Sequence, residues 1–153
     1  MSPSNPLTIF QNEILVIAFF TWMIAQLVKP FTTYLIKGEW KWRMLLATGG
    51  MPSSHSTLVT SVAVSVGLLV GWSTPEFAIA STLAAVVIAD AAGVRRQAGF
   101  HAEAINVIVQ ELLQGHPLSD KQLREVLGHT PIEVLGGILW AILSTVTLWY
   151  FWK

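Results

Sequence analysis

Four apolar runs constrain this chain more than any other feature. They cover 7–28, 56–72, 77–92 and 132–152. A hydrocarbon core about 30 Å thick needs a helix of roughly 20 predominantly apolar residues. The last run meets that length outright. The first does so only if it begins near Leu7 and shelters Glu13; it is read as ending at Lys29-Pro30. The second and third, separated by the short turn 71–76 with Pro75, read as a transmembrane hairpin. Composition agrees: 53% of residues are hydrophobic and 12% charged, where soluble domains carry about 25% charged residues. Mean hydropathy is +0.58. The expectation is an all-α integral membrane bundle, a single domain over 1–153 with about four spans and additional interfacial amphipathic helices.

Net charge is zero, so no global field draws nucleic acid. Cysteine is absent, which excludes disulfides and thiolate metal sites and leaves the redox compartment open. No basic segment and no small-residue cleavage site precede the first run, so it is not read as a signal peptide. The seven tryptophans sit largely near the ends of apolar runs, as interfacial belts do.

The two long connections, 29–55 and 93–131, carry the chemistry. Residues 31–48 mix aromatics with Lys37, Glu39, Lys41 and Arg43, which suits a segment lying on the membrane. Residues 97–128 interleave polar and apolar side chains at helical spacing. Gly115-His116-Pro117 splits them into two expected helices outside the hydrocarbon core. Lys29, Lys37, Lys41 and Arg43 fall in one connection; Arg95, Arg96, Lys121 and Arg124 fall in the other. The hairpin turn and the N-terminal tail carry no Lys or Arg. The positive-inside rule therefore places both connections in the cytoplasm and both termini outside.

Polar residues then collect at one membrane face. Gly49-Gly50-Met51-Pro52-Ser53-Ser54-His55-Ser56 joins a flexible hinge to a helix start. Free backbone N–H groups, a positive helix end and an imidazole are what a phosphate site needs. A loop followed by an ordinary capped helix explains the same residues equally well. His129 and Glu133, four apart, place a carboxylate where it fixes the tautomer of a nucleophilic imidazole. Capping is again the alternative, because Thr130-Pro131-Ile132-Glu133 is a capping box with proline at N1. Asp90 is costly near a helix end in lipid unless it pairs, and Arg95 or Arg96 is the expected partner, either as a clamp or as part of the site. His101 and His116 sit where an exposed histidine is ordinary, and no His-x-x-x-His spacing supports a metal.

Pro52-Ser53-Ser54-His55 resembles the Pro-Ser-Gly-His motif of the type 2 phosphatidic acid phosphatase (PAP2) superfamily, which includes vanadium haloperoxidases. His129-Thr130-Pro131-Ile132-Glu133-Val134, with Gly136 and Gly137, resembles its His-x-x-x-Asp-Val-x-x-Gly segment. Together with Asp-Ala-Ala-Gly-Val-Arg-Arg at 90–96, these motifs resemble the divergent PAP2 family of small bacterial and plastid membrane proteins, from about Ala25 to Gly137.

The resemblance implies a metal-independent phosphatase without cofactor. His129 would be the nucleophile that forms a phosphohistidine, oriented by Glu133 in place of the family's aspartate, with His55 as general acid. Lys29 and an arginine among Arg95, Arg96 and Arg124 would grip the phosphate, helped by the backbone N–H groups of Ser53 and Ser54. Asp90, Gly49, Gly50 and Thr130 would support the site. The implied substrate is a lipid or isoprenoid phosphate or diphosphate, in a bacterial inner or thylakoid-type membrane, with the site facing the cytoplasm. The alternative is a non-catalytic membrane subunit, or a phosphate-ligand sensor that kept the pocket. Haloperoxidase activity fits less well, since nothing suggests secretion. Small membrane bundles often pair, which leaves a homo-oligomer or a membrane-complex partner open.

Overall fold

The structure is a computed structural model that describes residues 6–47, 49–93, 97, 101–102, 104–106, 108–109 and 130–152. These form a helical bundle, with no strand among the described residues. A 3-10 helix, Pro6–Gln11, leads into α1, Glu13–Lys37. Asn12 caps α1 by accepting from the Leu15 N–H at 3.2 Å. The helix stops at Gly38, whose φ of 68° is open to glycine without penalty and whose N–H reaches the Tyr34 carbonyl. A second 3-10 helix, Trp42–Leu46, precedes α2, Ser54–Leu69. Thr74 caps α3, Pro75–Ala92, with Pro75 in its first turn. Helix α4 spans Pro131–Trp152.

Helix α2 is the axis, packing against α1, α3 and α4. Its interior face is small and polar: Ser56, Thr57, Ser61 and Ser65 are all fully buried. Small hydroxyl side chains let helix backbones approach closely in lipid and hydrogen-bond across the seam. Thr57 donates to the Gly137 carbonyl at 3.2 Å, and Ser61 and Thr145 share a hydrogen bond of 2.7 Å. The two contacts climb α2 and α4 in the same order, so these helices run parallel. The apolar part of the core lies between α2 and α3, around Ala63, Val66, Ala80 and Ala84. Large apolar side chains such as Phe19, Leu27, Leu83, Val86 and Leu139 point outward. An outside of leucine and phenylalanine around an inside of serine and threonine is the arrangement a bilayer favours.

Among the described residues three helices, α1, α3 and α4, are long and apolar enough to cross a membrane. Helix α2 has 16 residues, about 24 Å at 1.5 Å per residue, and is the most enclosed. The four apolar runs thus all become helices, although α2 by itself falls short of the usual span.

Both boundaries of the first helix differ from the sequence reading: α1 begins at Glu13, which is exposed rather than sheltered, and 6–11 form a separate 3-10 helix. The first helix does not end at Lys29-Pro30 but continues through Pro30 to Lys37. Proline has no N–H for the Gln26 carbonyl, which in a soluble helix interior is a strong break. In a membrane bundle neighbouring groups compensate such a break. Residues 31–37 are therefore the end of α1 rather than part of a separate surface segment, and Lys29 lies inside a helix. In the second long connection, the described residues from 97 to 109 are helical, as expected. The expected split at Gly115-His116-Pro117 lies outside the described residues.

Candidate functional site

The starts of α2 and α4 lie side by side. The Ser53 backbone N–H donates to the Glu133 carbonyl at 3.1 Å. That approach requires a glycine one turn further along α4. A Cβ on Gly137 would lie 2.6 Å from the Ser53 carbonyl oxygen and 3.1 Å from the Ser56 Cβ. Two parallel helices starting together put two positive dipole ends at one place.

Ser53 is the N-cap of α2. Its hydroxyl accepts from the Ser56 N–H at 3.4 Å and from the Ser56 hydroxyl at 3.1 Å. The α4 start is closed by the capping box read from the sequence. The Thr130 N–H donates to Glu133 Oε2 at 3.1 Å, and the Glu133 N–H donates to the Thr130 hydroxyl at 3.4 Å.

Lys29 enters this junction from α1. Its side chain is 0% exposed. Nζ donates to the Ser54 hydroxyl at 3.0 Å and to the Ala47 carbonyl at 2.9 Å, and the Glu133 carboxylate attracts it electrostatically. A buried ammonium requires such partners. Thr32, one turn beyond Lys29, donates to the Met51 carbonyl and so ties α1 to the hinge. Within the hinge Gly50 has φ of 90°, in the left-handed region, and the Met51–Pro52 peptide is cis.

Of the residues singled out in the sequence, Lys29, Ser53, Ser54, Thr130 and Glu133 are drawn to this junction, and Gly49 and Gly50 lead into it. His55 is the second residue of α2 and half-buried. Asp90 is half-buried in the last turn of α3. His129, Arg95, Arg96 and Arg124 lie outside the described residues, as does His116. His101 is exposed. Among the described residues no three His, Asp or Glu side chains gather as a metal site would need.

The sequence reading missed the Ala47 carbonyl, Thr32 and Thr57. A backbone carbonyl carries no signal in residue type. Thr57 and Ser61 at i,i+4 are a pattern that marks them as seam residues.

An all-helical membrane bundle with α1, α2 and α4 joined around Lys29 and Ser53 defines the class of protein. The Divergent PAP2 family profile matches residues 10–144, and the chain belongs to that family. It is 36% identical over 140 residues to the "Uncharacterized membrane protein YuiD" of Bacillus subtilis (strain 168), covering 84% of this chain and 89% of that protein. No solved structure matches.

Proposed function

We propose that this PAP2-related membrane protein is a phosphatase for a lipid or isoprenoid phosphate, working at the cytoplasmic face. The imidazole of His129 attacks phosphorus and forms a phosphohistidine. His55 protonates the departing oxygen, and water then cleaves the P–N bond and regenerates the imidazole. Glu133 orients His129, while Lys29 and one of Arg95, Arg96 or Arg124 offset charge on the phosphoryl oxygens. The observation that carries this reading is the buried Lys29 ammonium bonded to the Ser54 hydroxyl, at the joint start of two helices. An apolar groove lined by Ala18, Phe19, Trp22, Leu58 and Val62 between α1 and α2 is suited to a substrate chain.

The test is phosphate release from phosphatidic acid and from a polyprenyl diphosphate, by protein purified in detergent. His129→Ala is expected to abolish turnover with the melting temperature retained, and vanadate to inhibit the unsubstituted protein. Turnover undiminished in His129→Ala overturns the reading. Orientation is tested separately, because the chain has no cysteine. Ser73→Cys should react with an impermeant maleimide from outside, and Glu39→Cys should not.

A second reading, a non-catalytic phosphate binder, is favoured by one observation. The Glu133 carboxylate serves the capping box, a structural task that needs no chemistry. Vanadate binding without phosphate release from either lipid would select it.

A further inference from the structure

The end of α1 and the 3-10 helix after it expose an unusual surface. Phe31, Tyr34 and Leu35 share one face of α1 by spacing, and Leu35 is 81% exposed. The Trp40 ring meets Phe31, Tyr34 and Trp42 edge-on, at centroid separations of 5.0, 5.8 and 5.2 Å. Phe31, Tyr34, Trp40 and Trp42 are all exposed, and Leu46 is 91% exposed. Edge-on ring contacts of this kind are favourable, and the rings present apolar faces with polar tips at Tyr34, Trp40 and Trp42.

Cations are set among the rings. Lys37, Lys41 and Arg43 are exposed, against the single acid Glu39. Lys41 pairs with Glu39, and that bond holds the Glu39 carboxyl below its ordinary range. Glu39 therefore offsets one cation at neutral pH. Lys37 and Arg43 remain to act outward.

We propose that residues 31–46 are a docking surface for anionic phospholipid headgroups, with the rings at the level of the upper acyl chains and Lys37 and Arg43 on the phosphates. Three features favour a lipid surface over a protein partner. The patch continues the outward apolar side of a helix long enough to span. Its aromatic and basic residues are the types that anchor at an interface. Its charge is complementary to anionic lipid.

The surface also adjoins the candidate site: Leu46 precedes Ala47, whose carbonyl accepts from Lys29. Seating the rings at the upper acyl chains thus sets the depth of the Lys29 junction. The proposal holds whether or not the chain turns over phosphate.

The experiment uses the full chain in vesicles of phosphatidylcholine and phosphatidylglycerol, with bromine on the acyl chains of one lipid at a time. Trp40 and Trp42 are the reporters, isolated by subtracting a Trp40→Phe, Trp42→Phe variant. Brominated phosphatidylglycerol should quench more than brominated phosphatidylcholine at equal mole fraction. Lys37→Gln with Arg43→Gln should remove that preference, with about a fivefold loss of selectivity per cation, and high salt should do the same. Both cations are exposed, so the charge variant remains informative on total fluorescence even if the tryptophan variant fails to fold. Equal quenching by the two lipids overturns headgroup selection. Quenching by neither places the rings away from the acyl chains and overturns the proposal entirely.

Discussion

The backbone N–H of Ser53 donates to the carbonyl of Glu133, residues that begin two different helices. Everything at the candidate site depends on how closely those two starts approach, and that closeness can be tested by adding single methyl groups.

Gly137→Ala would set its Cβ 2.6 Å from the Ser53 carbonyl, a backbone atom that cannot step aside. A loss of about 1–3 kcal/mol is expected, typical of overpacking a tight seam. Gly136→Ala meets only the end of the Met51 side chain, at 2.8 Å, and should cost less. Thermal unfolding in detergent ranks the two. Equal melting temperatures would mean that the α2–α4 seam has room for a methyl group at Gly137.

The capping box is separable from the chemistry proposed for Glu133. Thr130→Ala removes the hydroxyl that accepts the Glu133 N–H and should cost about 1 kcal/mol. Thr130→Ser should restore it. Neither change touches Lys29, so vanadate binding should persist in both. Its loss in Thr130→Ser would show that the threonine methyl shapes the site.

Lys29→Met keeps much of the length and apolar stem while removing the donor to Ser54 and Ala47. Under the proposed function, vanadate affinity should fall by at least roughly thirtyfold, about 2 kcal/mol. Lys41→Met, at an exposed position, should leave affinity unchanged. Isothermal titration in detergent measures both.

The Ser61–Thr145 bond lies deep in the seam, with both side chains fully buried. A double-mutant cycle of Ser61→Ala and Thr145→Val should give a coupling near 0.6 kcal/mol, the usual size for such bonds between membrane helices. A coupling of zero would mean that packing alone holds the two helices.

The parts of this architecture that depend on neighbours in sequence were legible without coordinates. Apolar runs marked four helices. The serine pair 53–54, and Thr130 with Glu133, announced caps because capping is a relation over three residues, and the structure selects Ser53 of the pair. The path of α1 was not legible. Pro30 is a local stop signal, and only surroundings absent from the sequence override it. The burial of Lys29 was hidden for a related reason: its partners, Ser54 and the Ala47 carbonyl, are 25 and 18 residues away. The motif resemblance assembled Lys29, Ser53, Ser54 and Glu133 in one proposed site, while the seam hydroxyl of Thr145 belongs to no motif and emerges only from packing.

Pro30 has a mechanical consequence. With no amide hydrogen for the Gln26 carbonyl, α1 lacks one rung at the level of its charged side chain. A rod with a missing rung bends there more easily than elsewhere. Bonds from Lys29 to Ser54 and Ala47, and from Thr32 to Met51, splint that weak point from outside the helix, so the aromatic, basic tip beyond Pro30 moves with the start of α2 rather than independently of it.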